Sequence, residues 1–127
     1  MHQFDLKNRT AIITGGAQGF GLDIAKKFLN SGANVIIWDI DEKELQNAVR
    51  EINNQKLNYN LVDVSNFEEV NKAVIEINKS SNIDILVNNA GITGPTAELW
   101  NYSINDWNKV VEINLNGTFN CCKSIVP

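Results

Sequence analysis

Four glycines fall within seven residues of one turn. Residues 10–21 read T-A-I-I-T-G-G-A-Q-G-F-G, a β-branched apolar run that breaks into Gly15, Gly16, Gly19 and Gly21 before a helical pattern begins. Glycines at such a turn allow positive φ and let a ligand come close to the main chain. The helix beyond the turn begins with unpaired N–H groups and the positive end of its dipole, both suited to a pyrophosphate. Such turns also serve packing alone, so the motif gains meaning from the residues downstream of it. A second apolar run, Asn34–Trp38, closes on Asp39. A carboxylate there can accept hydrogen bonds from a ribose diol. Asp39 could equally belong to the cap of the next helix, although Asp41 is better placed for that role.

Two further strand ends offer polar groups. Asp63 follows Leu57–Val62 and could take a hydrogen bond from an adenine amino group or could cap the next helix. The segment Asn88-Asn89-Ala90-Gly91 follows Ile83–Val87. Its amides suit bonds to neighbouring backbone, and its small residues leave room for a ligand. Asn114 interrupts an apolar stripe of Trp107, Val110, Val111, Leu115, Thr118, Phe119 and Cys122. A buried amide must find partners or cost about 1–3 kcal/mol. Spacing alone favours an amide that bonds a neighbouring strand end over one directed to a reactive crevice.

The elements that must carry these groups alternate. Strands are expected at Thr10–Thr14, Asn34–Trp38, Leu57–Val62 and Ile83–Val87, with helices near 19–30, 42–53, 67–79 and 105–124. Leu22, Ala25 and Leu29 mark the first helix. Leu45, Ala48, Val49 and Ile52 stripe the second, and Val70, Ala73, Val74 and Ile77 the third. Single apolar stripes between apolar strands imply helices on both faces of a parallel sheet. Right-handed crossovers make this an α/β, doubly wound parallel sheet of Rossmann type, ordered 3-2-1-4. Its ligand crevice lies beyond the strand ends at Gly15, Asp39, Asp63 and Asn88.

The 127 residues make one domain, residues 1–127, large enough for a core. A net charge of −4 without a basic cluster argues against nucleic acid and anionic membranes as partners. No run is long enough to span a membrane, and the N-terminus lacks a signal segment. Cys121 and Cys122 are adjacent, which disfavours an ordinary disulfide between them; packing in a reducing cytoplasm suits them. With His2 as the sole histidine, no metal site is expected.

With these residues in place, the chain resembles the short-chain dehydrogenase/reductase family along its whole length. Thr14 to Gly21 resembles the T-G-x-x-x-G-x-G cofactor turn, and Asp84 to Gly91 the D-x-L-V-N-N-A-G segment. Asp63-Val64 matches the adenine-contacting pair, and Asn114 falls in the N-L-x-G stretch that holds the family's catalytic asparagine. The resemblance implies a reversible alcohol/carbonyl oxidoreductase using a nicotinamide cofactor. It implies cofactor contacts from Gly15, Gln18, Gly19, Phe20, Gly21, Asp39, Ile40, Asp63, Val64, Asn89, Ala90 and Gly91, and a proton relay through water held by Asn114. Asp39 would repel the 2′-phosphate of NADP, and neither Gln18 nor Ile40 supplies a cation, so NAD(H) is expected over NADP.

The family's chemistry also needs a serine and a Tyr-x-x-x-Lys pair. Tyr59 is followed at that spacing by Asp63 and Tyr102 by Asp106, so neither qualifies. The expectation is therefore a truncated NAD(P)-binding domain, incomplete on its C-terminal side and inactive alone. Its fourth strand would present an open apolar edge that favours association. Relatives are commonly tetramers built partly through the last helix seen here, so a homo-oligomer is expected. Residues Ile92–Asp106, with Gly94-Pro95 and Trp100, are expected to border the mouth for a small alcohol or carbonyl substrate. Three other readings remain: a non-catalytic dinucleotide-binding sensor, a 3-oxoacyl thioester reductase of the same family, and a methyltransferase using S-adenosylmethionine. The Asn-Asn-Ala-Gly segment argues against the last. Family reductases of oxoacyl thioesters often use NADPH, so Asp39 with Gln18 counts modestly against that reading.

Overall fold

A computed structural model describes residues 4–127; His2 lies outside the described residues. Strands β1 (Thr10–Thr14), β2 (Asn34–Asp39), β3 (Leu57–Leu61) and β4 (Ile85–Val87) alternate with helices α1 (Gly19–Asn30), α2 (Glu42–Ile52) and α3 (Phe67–Asn78). After β4 come a 3₁₀ turn (Leu99–Asn101) and a long helix in three parts. These are α4 (Ile104–Val111), a π segment (Glu112–Asn116) and α5 (Gly117–Ile125). The four strands are parallel in the order β3-β2-β1-β4, as the crossover argument requires.

Period-two alternation splits the apolar strand residues between two layers. Ile13, Val35 and Ile37 face α1 and α2, packing on Ala25, Leu29, Leu45 and Ala48. Ile12 and Trp38 face the opposite layer with Val62, Val64, Val70, Val74 and Cys121. Both strands of the central pair are thus covered on both faces, which explains their near-continuous apolar sequence. The capping expected of Asp41 is present: its carboxylate accepts the Glu44 N–H at 3.1 Å. Asn66 does the same for Glu69 at 3.2 Å, starting α3.

β2 runs on to Asp39 and β3 stops at Leu61, each one residue from the expected bound, and two larger differences stand beside these. The fourth strand begins at Ile85, not Ile83. The Asp84 carboxylate takes the Thr10 N–H at 2.9 Å while the Asp84 N–H donates to the Thr10 carbonyl at 2.9 Å, so a side chain supplies one of the two bonds at that point. The larger correction concerns the last helix. Trp107, Leu115 and Phe119, expected to be buried, are 55%, 66% and 60% exposed. Gly117, Asn120 and Cys121 are the inward residues, and Ile113 packs beside them. A π segment carries more residues per turn than an α-helix, so a stripe drawn at constant α-helical spacing through 105–124 does not describe one face. Small inward residues also let the helix lie close on the loop beyond β3, as a Cβ on Gly117 would come within 2.7 Å of Val64 Cγ2.

Candidate functional site

The carboxyl ends of the strands enclose a cavity of about 860 Å³. Its floor is the β1–α1 turn. Thr14, almost fully buried, ends β1 and holds that floor to the loop after β4. Its Oγ1 accepts the N–H groups of Asn89 at 3.0 Å and Ala90 at 2.9 Å, and donates to the Val87 carbonyl at 3.4 Å. Asn89 answers by donating from Nδ2 to the Gly15 carbonyl at 3.1 Å. The loop amide therefore bonds neighbouring backbone, as its position suggested. The part played by Thr14 was not anticipated, because its partners lie more than seventy positions away.

Gly15 and Gly19 both adopt φ of +61°. A Cβ on Gly19 would project into open space, so the backbone there is bare on its outer side. A Cβ on Gly21 would collide with the Gly15 carbonyl, so the tight packing of turn on helix requires a glycine. The first turn of α1 carries no acidic residue, and its N-cap Gln18 makes no capping bond. Its N–H groups thus keep their positive end free for an anion. An open glycine face, free helix N–H groups and an adjacent carboxylate together fit a dinucleotide.

That carboxylate is Asp39, at the end of β2. Its Oδ2 accepts the Ala17 N–H at 3.3 Å, and its Oδ1 accepts those of Ile40 at 2.8 Å and Asp41 at 3.2 Å. It is half-buried and faces the cavity while anchoring the turn. Asp63, beyond β3, is held by Ser65, whose N–H and hydroxyl donate to Oδ1 at 2.9 and 2.6 Å. Nine of the expected cofactor residues line this one cavity: Gly15, Gln18, Asp39, Ile40, Asp63, Val64, Asn89, Ala90 and Gly91. Gly19, Phe20 and Gly21 sit at the start of α1, outside its lining, and Phe20 is 84% exposed. Asn88 is also absent from the lining and donates to Cys122 Sγ at 3.5 Å.

Asn114 lies within the π segment and is exposed rather than buried. Both ends of its amide engage the loop after β4: Oδ1 accepts the Ile92 N–H at 2.9 Å, and Nδ2 donates to the Ile92 carbonyl at 2.8 Å. The expected bond to a strand-end loop is present, but burial is not its cause. The π turn is closed by Gly117 N–H on the Glu112 carbonyl. Asn105, Asn108, Lys109 and Glu112 on the same helix also line the cavity. They escaped the sequence reading because they fall on the polar side of its apolar stripe.

Tyr59 stands within β3 and Tyr102 in the loop before α4, where its ring meets Trp107 edge-on at 6.2 Å. Among the described residues no cluster of three His, Cys, Asp or Glu side chains could hold a metal, and no helix is long and apolar enough to cross a membrane.

Residues 9–127 match the family model for short chain dehydrogenases. The chain is 38% identical over 125 residues to 3-oxoacyl-(acyl-carrier-protein) reductase FabG of Chlamydia muridarum, covering 95% of this chain and 50% of that protein. It is 35% identical over 120 residues to 2-dehydro-3-deoxy-L-rhamnonate dehydrogenase (NAD(+)) of a Sphingomonas species, covering 94% and 47%. Among solved structures, an RhlG/NADP active-site complex from Pseudomonas aeruginosa superimposes with a TM-score of 0.88 at 31% identity, over 100% of this chain and 50% of that one. The chain therefore spans about half the length of the curated relatives it matches.

Proposed function

The chain belongs to the short-chain dehydrogenase/reductase family, and from that premise we propose that it forms the cofactor-binding half of an NAD(H)-dependent alcohol/carbonyl oxidoreductase. The observation that carries the reading is the placement of Asp39 on the cavity wall beside the open glycine turn. The nicotinamide cofactor, when bound, accepts or supplies a hydride. The residues of this chain do the holding. N–H groups at the start of α1 neutralise the pyrophosphate, and the bare backbone of Gly19 with neighbouring Phe20 and Gly21 admits it. Asp39 takes the ribose hydroxyls, with Ile40 beside it. Asp63 and Val64 border the adenine, while Asn89, Ala90 and Gly91 border the nicotinamide side. Asn114 fixes the Ile92 backbone at the catalytic end, and in this reading it also holds the water of a proton relay.

Asp39 also argues for NAD(H) over NADP(H). A 2′-phosphate would bring a second anion to a carboxylate already fixed by three N–H groups, and like charges at contact distance repel by about 1 kcal/mol or more. Titration calorimetry with NADH and NADPH tests both statements. NADH is expected to bind at least about tenfold more tightly, roughly 1.4 kcal/mol, and Asp39→Ala should narrow that ratio. Tighter binding of NADPH would overturn the preference. Binding of S-adenosylmethionine in place of either dinucleotide would overturn the reading itself.

The same reading carries a small alcohol or carbonyl substrate, a homo-oligomeric assembly and a cytoplasmic setting. A second substrate reading, reduction of a 3-oxoacyl thioester, is favoured by the names of chlamydial relatives at 37–40% identity. No tyrosine among these 127 residues is followed four positions on by a lysine, and none of their serines is carried over as the one that orients the substrate carbonyl. Turnover therefore belongs to the reading of the whole protein.

A further inference from the structure

Asn120 is a buried amide that the proposed function leaves without a task. It sits on α5 at 8% exposure, and its Nδ2 donates to the Val64 carbonyl at 2.9 Å. Val64 lies beyond the end of β3, outside the strand ladder, and it lines the cavity with Asp63 and Ser65. One turn earlier on the helix, any side chain at Gly117 would press on Val64 Cγ2. A hydrogen bond and a close approach thus seat the helix on the same short loop. Earlier on the same helical stretch, in its π segment, Asn114 grips Ile92 through both ends of its amide. One continuous helical stretch therefore bonds two walls of the cavity.

We propose that Asn120 is a positioning residue that sets the Asp63–Val64 wall and thereby the affinity for the adenosine half of the cofactor. The inference rests on the dinucleotide reading above. Asn120 is not among the residues lining the cavity, so it acts only through the loop. Loss of its donor leaves the Val64 carbonyl without that partner inside a packed layer, and the loop must move to find another. The Asp63 carboxylate is tied to this loop through Ser65, so it moves as well.

The test is calorimetric titration of the protein with NADH and with ADP-ribose, which keeps the adenosine half and lacks nicotinamide. Asn120→Leu matches the size of the side chain without its donor, and Asn120→Ser is too short to reach Val64. Ser124→Ala is the control, since Ser124 bonds Asn71 on α3 and not the loop. Both Asn120 variants are expected to weaken NADH and ADP-ribose alike, by about three- to tenfold, with unchanged stoichiometry, while Ser124→Ala binds as the native protein does. A fall in stoichiometry at constant affinity would show a merely structural role and overturn the proposal. Weakening of NADH with ADP-ribose unaffected would overturn it too, by placing the effect at the nicotinamide end. If Asn120→Leu does not fold, Asn120→Ser decides. Failure of the native protein to bind either ligand would instead remove the dinucleotide reading on which the proposal rests.

Discussion

Two adjacent thiols have opposite surroundings. Cys121 is fully buried against Ile12, Val70 and Val74, whereas Cys122 is half-exposed beside Asn88. Burial first, and the neighbouring Cys122 second, push the Cys121 thiol up to about 12 from its ordinary 9.0. A folded-state value above the unfolded one means that the unfolded chain loses this proton first as pH rises. The contribution of Cys121 to stability is thus whole below pH 9.0 and declines as pH climbs towards about 12. Urea unfolding at a series of alkaline pH values should show native stability falling more steeply than that of Cys121→Ala. Because the thiolate is the reactive form, iodoacetamide should modify Cys122 well before Cys121 in a peptide map. Equal rates would contradict the burial. The sequence placed these thiols on a packed helix, and it marked Asp39 and the loop amides from their positions after apolar runs. It could not reveal Thr14 or Asn120 as organisers, because each works through backbone groups tens of residues away that only folding brings near.

At the scale of elements, the β1–α1 turn divides its glycines between two duties. Gly21 is needed for packing, since a methyl group there meets the Gly15 carbonyl and the Asn89 amide. Gly19 is needed for conformation, with φ of +61° and open space around it. Gly21→Ala should therefore cost about 1–3 kcal/mol as an overpacked contact between backbone segments and should also weaken NADH. Gly19→Ala should cost about 1–2 kcal/mol from left-handed strain alone, leaving the floor of the cavity intact. Urea midpoints and NADH titrations of the two variants measure the difference, and a milder effect at Gly21 would refute this division. The first three helices could be read from their stripes, because each packs one continuous apolar face on the sheet. The span of the fourth could be read, but not its buried face. Three of its large apolar side chains, Trp107, Leu115 and Phe119, point outward, and its inward face combines Gly117, Asn120 and Cys121 with half-buried Ile113 and Ile125. Hydrophobicity registers what a face could bury, whereas here close approach of small residues decides which face meets the sheet.

For the molecule as a whole, those outward residues add to a surface that also includes an open sheet edge. Among the described residues β4 pairs only with β1, and its three residues are all half-buried. Leu99, Trp100 and Ile104 are each more than three-quarters exposed, adding to the apolar surface that runs along α4 and α5. Isolated apolar side chains on a surface need no partner, but a helix presenting several, together with an open strand edge, exposes both attractive area and unpaired backbone. A net charge of −4 offers little repulsion against self-association. The 127-residue chain in isolation is therefore expected to sediment above its monomer mass of 14.2 kDa. Leu115→Glu combined with Phe119→Glu should move the distribution towards monomer with helical circular dichroism unchanged, since both side chains point away from the core. If the pair of substitutions leaves the distribution as it was, the β4 edge is the dominant contact. A sharp monomer boundary for the native chain, together with a cooperative melt, would show that neither surface drives association and that the two packed layers suffice alone.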